Sequence, residues 1–204
     1  MMRPERLTWN SDMHKTGRVG KILLMMTFLL SSSALLSLQA RTKSIGATFS
    51  YTGISVSHES YTSHENSFLD LTLKAEFNEF TAGRSSYPGI SASVTWNSML
   101  KRWLTQEGVG INLYLGPGVT IGYGKDHKGA ENAASGQSSD GFFFGIMGRA
   151  GVECEFSRNI NLTVSFTPVI GSHIIYNNGL VSMKWYRNGL YYALVPEIGI
   201  KYRF

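Results

Sequence analysis

Apolar and polar side chains alternate strictly along several long segments of this chain. From Ile111 to Tyr123, every second residue over 13 positions is apolar, aromatic or Pro. Because successive side chains of a β-strand point to opposite faces, a period of two over this length predicts a long strand. Comparable alternation predicts six strands with clear limits, over residues 67–79, 90–99, 109–124, 141–156, 160–175 and 190–204.

The lengths and the two faces of these strands indicate a membrane barrel. A tilted strand needs about 9–11 residues to cross a bilayer, whereas strands of soluble sheets average about half that length. In residues 141–156, one face carries Arg149, Glu153 and Glu155, and the other is aliphatic and aromatic. This division suits hydrocarbon outside and a polar lumen inside.

The number of strands depends on residues 44–61, which form either one very long strand or a hairpin folded at Thr52-Gly53. An open sheet edge in hydrocarbon would leave backbone groups unpaired, so the first and last strands must pair antiparallel. The hairpin satisfies this requirement, with eight strands and both termini on the periplasmic side. We therefore predict an all-β fold, a membrane-spanning antiparallel up-and-down β-barrel.

This topology assigns the connections and the aromatic residues to two ends. Residues 62–66, 100–107 and 157–159 become periplasmic turns, and residues 52–53, 81–89, 125–140 and 177–189 become outer loops. Two aromatic girdles are predicted: an outer one of Tyr51, Tyr123, Tyr176 and Tyr192, and an inner one of Trp96, Trp103, Phe156, Tyr202 and Phe204.

The amino-terminal 40 residues have the pattern of a secretory leader. Lys15, Arg18 and Lys21 precede an apolar run over residues 22–30, and small residues follow up to Ala40. We expect cleavage before Arg41, although Leu38 stands where a small residue is usual. The predicted domains are a removed signal peptide, residues 1–40, and a barrel, residues 41–204. A single spanning helix is the alternative, but the run is near the lower length limit and three serines interrupt it.

Charge and cysteine content exclude several functional classes. The whole chain has 19 basic and 14 acidic residues, and residues 1–40 contain five and two of these, which leaves a net charge of +2. The basic character belongs largely to the leader, so nucleic-acid binding loses its main support. Cys154 is the only cysteine, which excludes an internal disulfide and a thiol metal site.

The charged residues of the predicted lumen face are the first candidate for chemistry. They are Asp70, Lys74, Glu76, Arg149, Glu153, Glu155, Glu197, Lys201 and Arg203. The interior of an eight-stranded barrel is just wide enough to be filled by side chains, so these charges are expected to pair in a packed network. A narrow solute path and a catalytic site are the alternatives.

His58 and Ser60 form a second candidate, because this His-x-Ser pair resembles that of the outer-membrane lipid A deacylases. Catalysis would need the pair at the outer leaflet, whereas the topology puts it toward the periplasm. The other histidines of the barrel, His64, His127 and His173, lack metal-ligand spacing. Glycines near Gly116 lack the helix and Lys of a phosphate loop. We therefore expect no catalytic residue, no metal and no cofactor.

The outer loops are the third candidate. Residues 125–140 are rich in Gly, Ala, Ser and Asn and should be mobile. In residues 177–189, Met183 and Trp185 provide apolar mass beside Lys184 and Arg187. Exposed apolar clusters often mark a partner surface, so this segment is where we place any binding function. The alternative is that these residues cap the barrel mouth or contact lipopolysaccharide.

Residues 116–123 (GPGVTIGY) and 196–204 (PEIGIKYRF) carry a resemblance to a known family. Over residues 44–204 the chain resembles the small outer-membrane β-barrel proteins of Gram-negative bacteria, similar in layout to OmpX and the barrel domain of OmpA. The resemblance implies an outer-membrane location and contact with membrane lipid and lipopolysaccharide. It also implies that Tyr202 and Phe204 belong to the signal read by the outer-membrane assembly machinery.

Three hypotheses for function follow. The first is a non-enzymatic outer-membrane protein with a structural, adhesive or envelope-protective role, monomeric and acting through its outer loops. The second is a narrow solute pore, and the third is an enzyme that modifies lipid A. The sequence names no host or surface ligand.

Overall fold

The computed structural model describes residues 42–62, 66–82, 87–106, 108–126, 140–177 and 180–204. The chain separates into two units, Met1–Gln39 and Ala40–Phe204. The predicted leader and its cleavage site lie outside the described residues, as does nearly all of the predicted loop 125–140.

Strands dominate the described residues. They are β1 (Lys43–Ser50), β2 (Gly53–Tyr61), β3 (Ser67–Glu76), β4 (Gly89–Leu104), β5 (Gly110–Lys125), β6 (Asp140–Glu155), β7 (Ile160–Phe166), β8 (Val169–Asn177), β9 (Leu180–Trp185) and β10 (Glu197–Arg203). Two four-residue helices, α1 (Asn78–Thr81) and α2 (Asn188–Tyr191), lie between strands. In this part of the chain, no helix has the length and apolar character needed to cross a membrane.

The strands form one closed antiparallel sheet. Neighbours along the chain pair from β1 to β7, and β10 pairs with both β7 and β1. The closing ladder runs from Ser44 opposite Arg203 to Phe49 opposite Ile198. The predicted all-β, antiparallel up-and-down barrel of eight strands is confirmed. We call the end that carries residues 42 and 204 the inner end, and the opposite one the outer end.

The ten strand segments form eight strands of the barrel wall, which we call staves. Two of the eight staves are each divided into two segments, β7 with β8 and β9 with β10. β7 and β8 both pair with β6, and the register does not shift between them: Ala150 lies opposite Phe166, and Met147 lies opposite Val169. The break between them contains Pro168, which has no N–H to donate to a ladder. The predicted strand 160–175 is therefore one stave in two segments.

The last stave is interrupted more strongly. Trp185 of β9 pairs with Ser172, and Glu197 of β10 pairs with Ser165. The two paired positions are therefore seven residues apart on the stave of β7 and β8, but twelve residues apart on the stave of β9 and β10. The five extra residues belong to residues 186–196, which leave the wall and which we call the lid. The predicted strand 190–204 is wrong over its first seven residues. Residues 190–195 are a continuous apolar and aromatic run without alternation, which a strand with one polar face does not have.

Two other predicted limits are corrected. β4 continues to Leu104, where a turn was predicted from residue 100, because a β-bulge between Met99 and Lys101 absorbs one residue that breaks the alternation. The turn that follows contains Gly108 at φ 81°, a conformation that favours Gly. β3 ends at Glu76 instead of residue 79, and α1 follows it.

The first hairpin, on which the strand count depended, is confirmed. β1 ends at Ser50 and β2 begins at Gly53, which leaves a two-residue turn at Tyr51 and Thr52, one residue before the predicted turn at Thr52-Gly53. A Cβ at residue 53 would collide with the backbone of Ala75 on β3, so only Gly fits at the start of β2.

The two faces of the sheet differ in polarity as the alternation predicts. Outside is a belt of exposed apolar side chains: Ile45, Phe49, Ile54, Val56, Val94, Leu115, Val119, Ile121, Phe142, Phe144, Ile146, Leu162, Val164, Ile170, Ile198 and Ile200. The buried side chains inside are largely polar or charged, among them Ser55, Ser57, Asn97, Asn112 and Thr163. An apolar exterior around a polar interior is the arrangement of a membrane-spanning barrel.

Aromatic side chains lie at both ends of the belt. Trp96, Trp103, Phe156, Tyr202 and Phe204 are exposed toward the inner end, and Tyr51, Tyr123 and Tyr176 are exposed toward the outer end. Tyr192, predicted in the outer girdle, instead lines the lumen, because it belongs to the lid.

Replacing Ile146 by Arg tests the direction of the faces. Ile146 is 66% exposed in the middle of β6, so the substitution should destabilise the folded barrel by about 2–4 kcal/mol in a bilayer. Thr120→Ser, on the lumen face, should change the free energy of unfolding by less than about 1 kcal/mol. Urea unfolding in lipid vesicles measures both, and equal effects would contradict the assignment of the faces.

Candidate functional site

Lys201 is the centre of the charged lumen. Its side chain is fully buried, and its Nζ lies 2.6 Å from Glu59 Oε1 and 2.9 Å from Glu153 Oε2. Glu59 also accepts hydrogen bonds from Ser44 and Tyr61, at 2.7 and 2.9 Å. A buried charge needs such partners, because the loss of its water shell costs several kcal/mol.

Two further ion pairs lie toward the outer end. Arg149 of β6 pairs with Asp70 of β3 across the lumen, and Thr72 donates to the same carboxylate at 2.5 Å. Lys74 Nζ lies 2.6 Å from Glu197 Oε1. These pairs connect opposite walls, so they hold the barrel cross-section together as well as neutralising charge.

At the inner end the network continues through Arg203. Its guanidinium lies 3.2 Å from Glu153 and 3.6 Å from Glu155. Arg102 lies 3.8 Å from Glu155, and its side chain is half exposed. The ion pairs thus change from fully buried at Lys201 to solvent-accessible at the inner rim.

Three aromatic rings fill the space around Lys201. Tyr61, Phe68 and Tyr114, which we call the aromatic plug, are almost completely buried inside the barrel. Phe68 packs on the other two rings at centroid distances of 5.1 and 5.3 Å. Lys201 Nζ lies 5.5 Å from the Phe68 centroid, within the range of a cation–π contact. The plug and the ion pairs together fill the inner half of the lumen.

The sequence identified nine lumen charges, and the structure places all nine on the inner face of the sheet. Eight of them are joined in the ion pairs above, and Glu76 lines the outer part of the lumen. Sequence reasoning missed Glu59, because it was considered only with His58 and Ser60. The alternation of Ser55, Ser57 and Glu59 against Ile54 and Val56 carries the signal that places it inside.

The lid occupies the outer half of the lumen. The Tyr186 ring stacks on Phe143 of β6 at a centroid distance of 4.2 Å. The Asp126 carboxylate accepts the backbone N–H of Arg187 at 3.1 Å and that of Asn188 at 2.9 Å. A Cβ at residue 189 would collide with Val169, so Gly allows the lid to approach β8 closely. The lid is therefore fixed to the wall at several points.

A cavity of about 70 Å³ remains between the lid and the wall. It is lined by Thr52, Thr72, Lys74, Glu76, Ser91, Ser93, Thr120, Phe143, Met147, Arg149, Thr167, Val169, Tyr186, Asn188, Gly189, Tyr192, Val195 and Glu197. This volume admits several water molecules. The aromatic plug and the Lys201 ion pairs separate the cavity from the inner end.

The four residues predicted for loop binding lie on β9 and at the start of the lid. Met183 and Trp185, which are 61% and 71% exposed, lie opposite Ile174 and Ser172 of β8 and face outward. Lys184 lies opposite His173 on the other face of the hairpin, and Lys184 and Arg187 are both exposed. The prediction that residues 177–189 form a loop is wrong. The described residues of this segment mostly form β9, which pairs with β8.

The His-x-Ser pair lies on the outer wall near the inner end. The closest approach is 3.4 Å, between Ser60 Oγ and His58 Nε2. Glu59 points into the lumen, to Lys201, so it cannot orient the imidazole. Within the described ranges, no group of three His, Cys, Asp or Glu side chains is placed to hold a metal ion, and Cys154 is a free thiol.

The terminal strand keeps its two aromatic residues outside. Tyr202 and Phe204 are 52% and 60% exposed, with ring centroids 6.4 Å apart. Phe204 also closes the barrel, because its backbone exchanges hydrogen bonds with Lys43, at 2.8 and 3.0 Å.

Comparison with known proteins gives a structural likeness. No family model matches the chain, and no curated protein matches it. Among solved structures, the chain is similar to the crystal structure of Neisserial surface protein A (NspA), with 14% identity and a TM-score of 0.37, over 80% of this chain and 94% of that chain. The account of this protein therefore rests on its own residues.

Replacing Lys201 by Met tests the buried network. The substitution leaves Glu59 and Glu153 without their shared cation, so the free energy of unfolding should fall by about 3–5 kcal/mol. Arg102→Met removes a half-exposed pair and should cost less than about 1 kcal/mol. Urea unfolding in vesicles compares the two variants. If Lys201→Met lowered the free energy of unfolding no more than Arg102→Met does, the buried ion pairs would not stabilise the barrel as proposed.

Proposed function

We propose that this protein is an integral outer-membrane β-barrel without enzymatic activity, which has a structural, adhesive or envelope-protective role through its outer end. The observation that carries the proposal is the contrast between a filled inner lumen and an exposed apolar and cationic outer rim. Both termini of the barrel are assigned to the periplasm, so the outer end faces the environment.

The filled lumen weighs against the second candidate, a solute pore. A path would have to pass the aromatic plug and the Lys201 ion pairs, whose side chains are at most 1% exposed. Moving them would break charge pairs in a confined space. Recording in planar bilayers separates the two candidates: a filled barrel gives no unitary conductance steps, whereas steps would favour the pore.

The third candidate, an enzyme acting on lipid A, lacks a supporting arrangement. His58 and Ser60 lie near the periplasmic end of the wall, and the carboxylate between them is held by Lys201. A nucleophile of this kind needs a base that is itself oriented, together with donors for the oxyanion. Mass analysis of lipid A from expressing and deletion strains tests this candidate, and a mass change would support it against our proposal.

The location is tested by fractionation. The protein should sediment with the outer membrane, stay folded in cold detergent sample buffer and change gel mobility on boiling. Deleting Phe204 should impair assembly more than deleting Tyr87, because Phe204 closes the ladder with Lys43 and supplies the last outward aromatic side chain. Recovery in the soluble periplasm, or normal assembly without Phe204, would contradict the proposal.

The rim residues are tested by a double substitution. Trp185→Ala with Arg187→Ala removes one outward aromatic anchor and one cation, a combination suited to lipopolysaccharide phosphates or an acidic partner. The barrel should remain heat-modifiable, while the surface-binding or envelope-resistance phenotype revealed by a deletion strain should weaken.

Tyr51→Ala is the matched control for this pair, since Tyr51 is exposed at the same end but on the first hairpin. An unchanged phenotype in the double variant, alongside a strong effect of deleting residues 127–139, would move the function to that segment. We also propose that the protein is a monomer that contacts lipid, lipopolysaccharide and, during assembly, the outer-membrane assembly machinery.

A further inference from the structure

The cavity beneath the lid contains polar groups that the fold itself does not satisfy. Ser91, Ser93 and Thr167 line it, and their hydroxyls have no hydrogen-bond partner among the described residues. Arg149 also lines it at 3% exposure, but its Nε is itself buried and is not open to the cavity. Ser93 and Thr167 are only partly buried, so their hydroxyls are open to a molecule in the cavity. A polar cavity with several accessible donors and acceptors can hold a hydrogen-bonding molecule.

The charged groups of the cavity determine what kind of molecule fits. Lys74 is paired with Glu197, and Arg149 is paired with Asp70 through its terminal nitrogen. Glu76, the remaining charged group of the lining, also has a partner. A charged or zwitterionic ligand would have to replace these pairs. The groups left over are hydroxyls, which both donate and accept and therefore suit the neutral oxygens of a polyhydroxyl molecule.

The lid supplies the apolar side of the cavity. The stacked rings of Tyr186 and Phe143 both line it. Aromatic faces with a few placed polar groups are typical of small-molecule sites. Because the inner half of the lumen is filled, such a site is a dead-end pocket of the outer end and not a step in a channel.

We propose that the cavity between the lid and the wall binds a small neutral polyhydroxyl compound, a polyol or a sugar fragment, with the hydroxyls of Ser91, Ser93 and Thr167 as its hydrogen-bonding partners. This inference goes beyond the proposed envelope role and stands without it, because it depends only on the interior of the barrel.

Saturation-transfer difference NMR on the folded barrel tests the proposal. The probes are glycerol, glycine and inorganic phosphate, and the detergent is an amine oxide, since a sugar-headgroup detergent would compete for the site. Glycerol should show saturation transfer, and glycine and phosphate should not. No transfer to glycerol, or transfer only to glycine or phosphate, would overturn the proposal.

Two variants assign any signal to the cavity. Ser93→Leu fills the cavity and should reduce the glycerol signal at least five-fold, whereas Ser98→Leu, on the outer face of the same strand, should leave it unchanged. Thr167→Val keeps the side-chain shape and should weaken glycerol binding about three- to ten-fold, the worth of one neutral hydrogen bond. If Ser93→Leu fails the gel-shift test of folding, Thr167→Val still tests the site, because this substitution preserves the volume of the side chain. An unchanged signal in the folded cavity variants would overturn the proposal.

Discussion

Closure of the sheet between β1 and β10 is the constraint on which the rest of the structure depends. The outer face is apolar along the whole belt, and an unpaired edge beside that face would leave backbone groups without water or protein partners. The ladder from Ser44 to Phe49 removes the edge, and the exchange between Lys43 and Phe204 extends it to the last residue. Eight staves follow from this requirement, because a seventh stave alone would meet β1 in the parallel direction.

Eight staves in turn determine the interior. A barrel of this size encloses a space that side chains can fill, and here charges fill it with their own counterions. Lys201 lies on the closing strand, and its partners Glu59 and Glu153 come from the second and sixth staves. The closing strand is therefore fixed both by its ladder and by ion pairs across the lumen. The aromatic plug and the ion pairs of Lys201 close the inner half of the barrel, whereas the outer half, which the lid covers, keeps a cavity.

The sequence predicts those parts of the fold that depend on a period of two. Alternation gave the faces of β5, β6 and β10, and the closure argument gave the first hairpin, whose turn was predicted at Thr52-Gly53, one residue after its observed place. The prediction from alternation failed where extra residues are inserted, because the neighbouring sequence does not mark the insertion. The bulge after Met99 restores the alternation one position later, and the lid depends on contacts with Phe143 and Asp126, far away in sequence.

The candidate sites show the same division. Nine lumen charges are visible as a polar face, whereas their pairing across the lumen depends on the three-dimensional positions of the staves. The aromatic plug was missed because Tyr61, Phe68 and Tyr114 are inward residues of apolar type, which the rule of a polar interior does not predict. The rim residues Met183 and Trp185 were found by their composition, but their strand was not, since a hairpin above the barrel has no polar face to mark it.

A disulfide across the closing seam measures the central claim directly. In a chain with Cys154→Ser, cysteines at Ala47 and Ile200 occupy paired positions of β1 and β10, and paired antiparallel residues lie about 4.5–5.5 Å apart between Cα atoms, within disulfide range. Oxidation should cross-link residues 47 and 200 within one chain and leave a 47 and 198 pair largely uncross-linked. Efficient cross-linking of 47 with 198, or only intermolecular products, would contradict a barrel closed in this register.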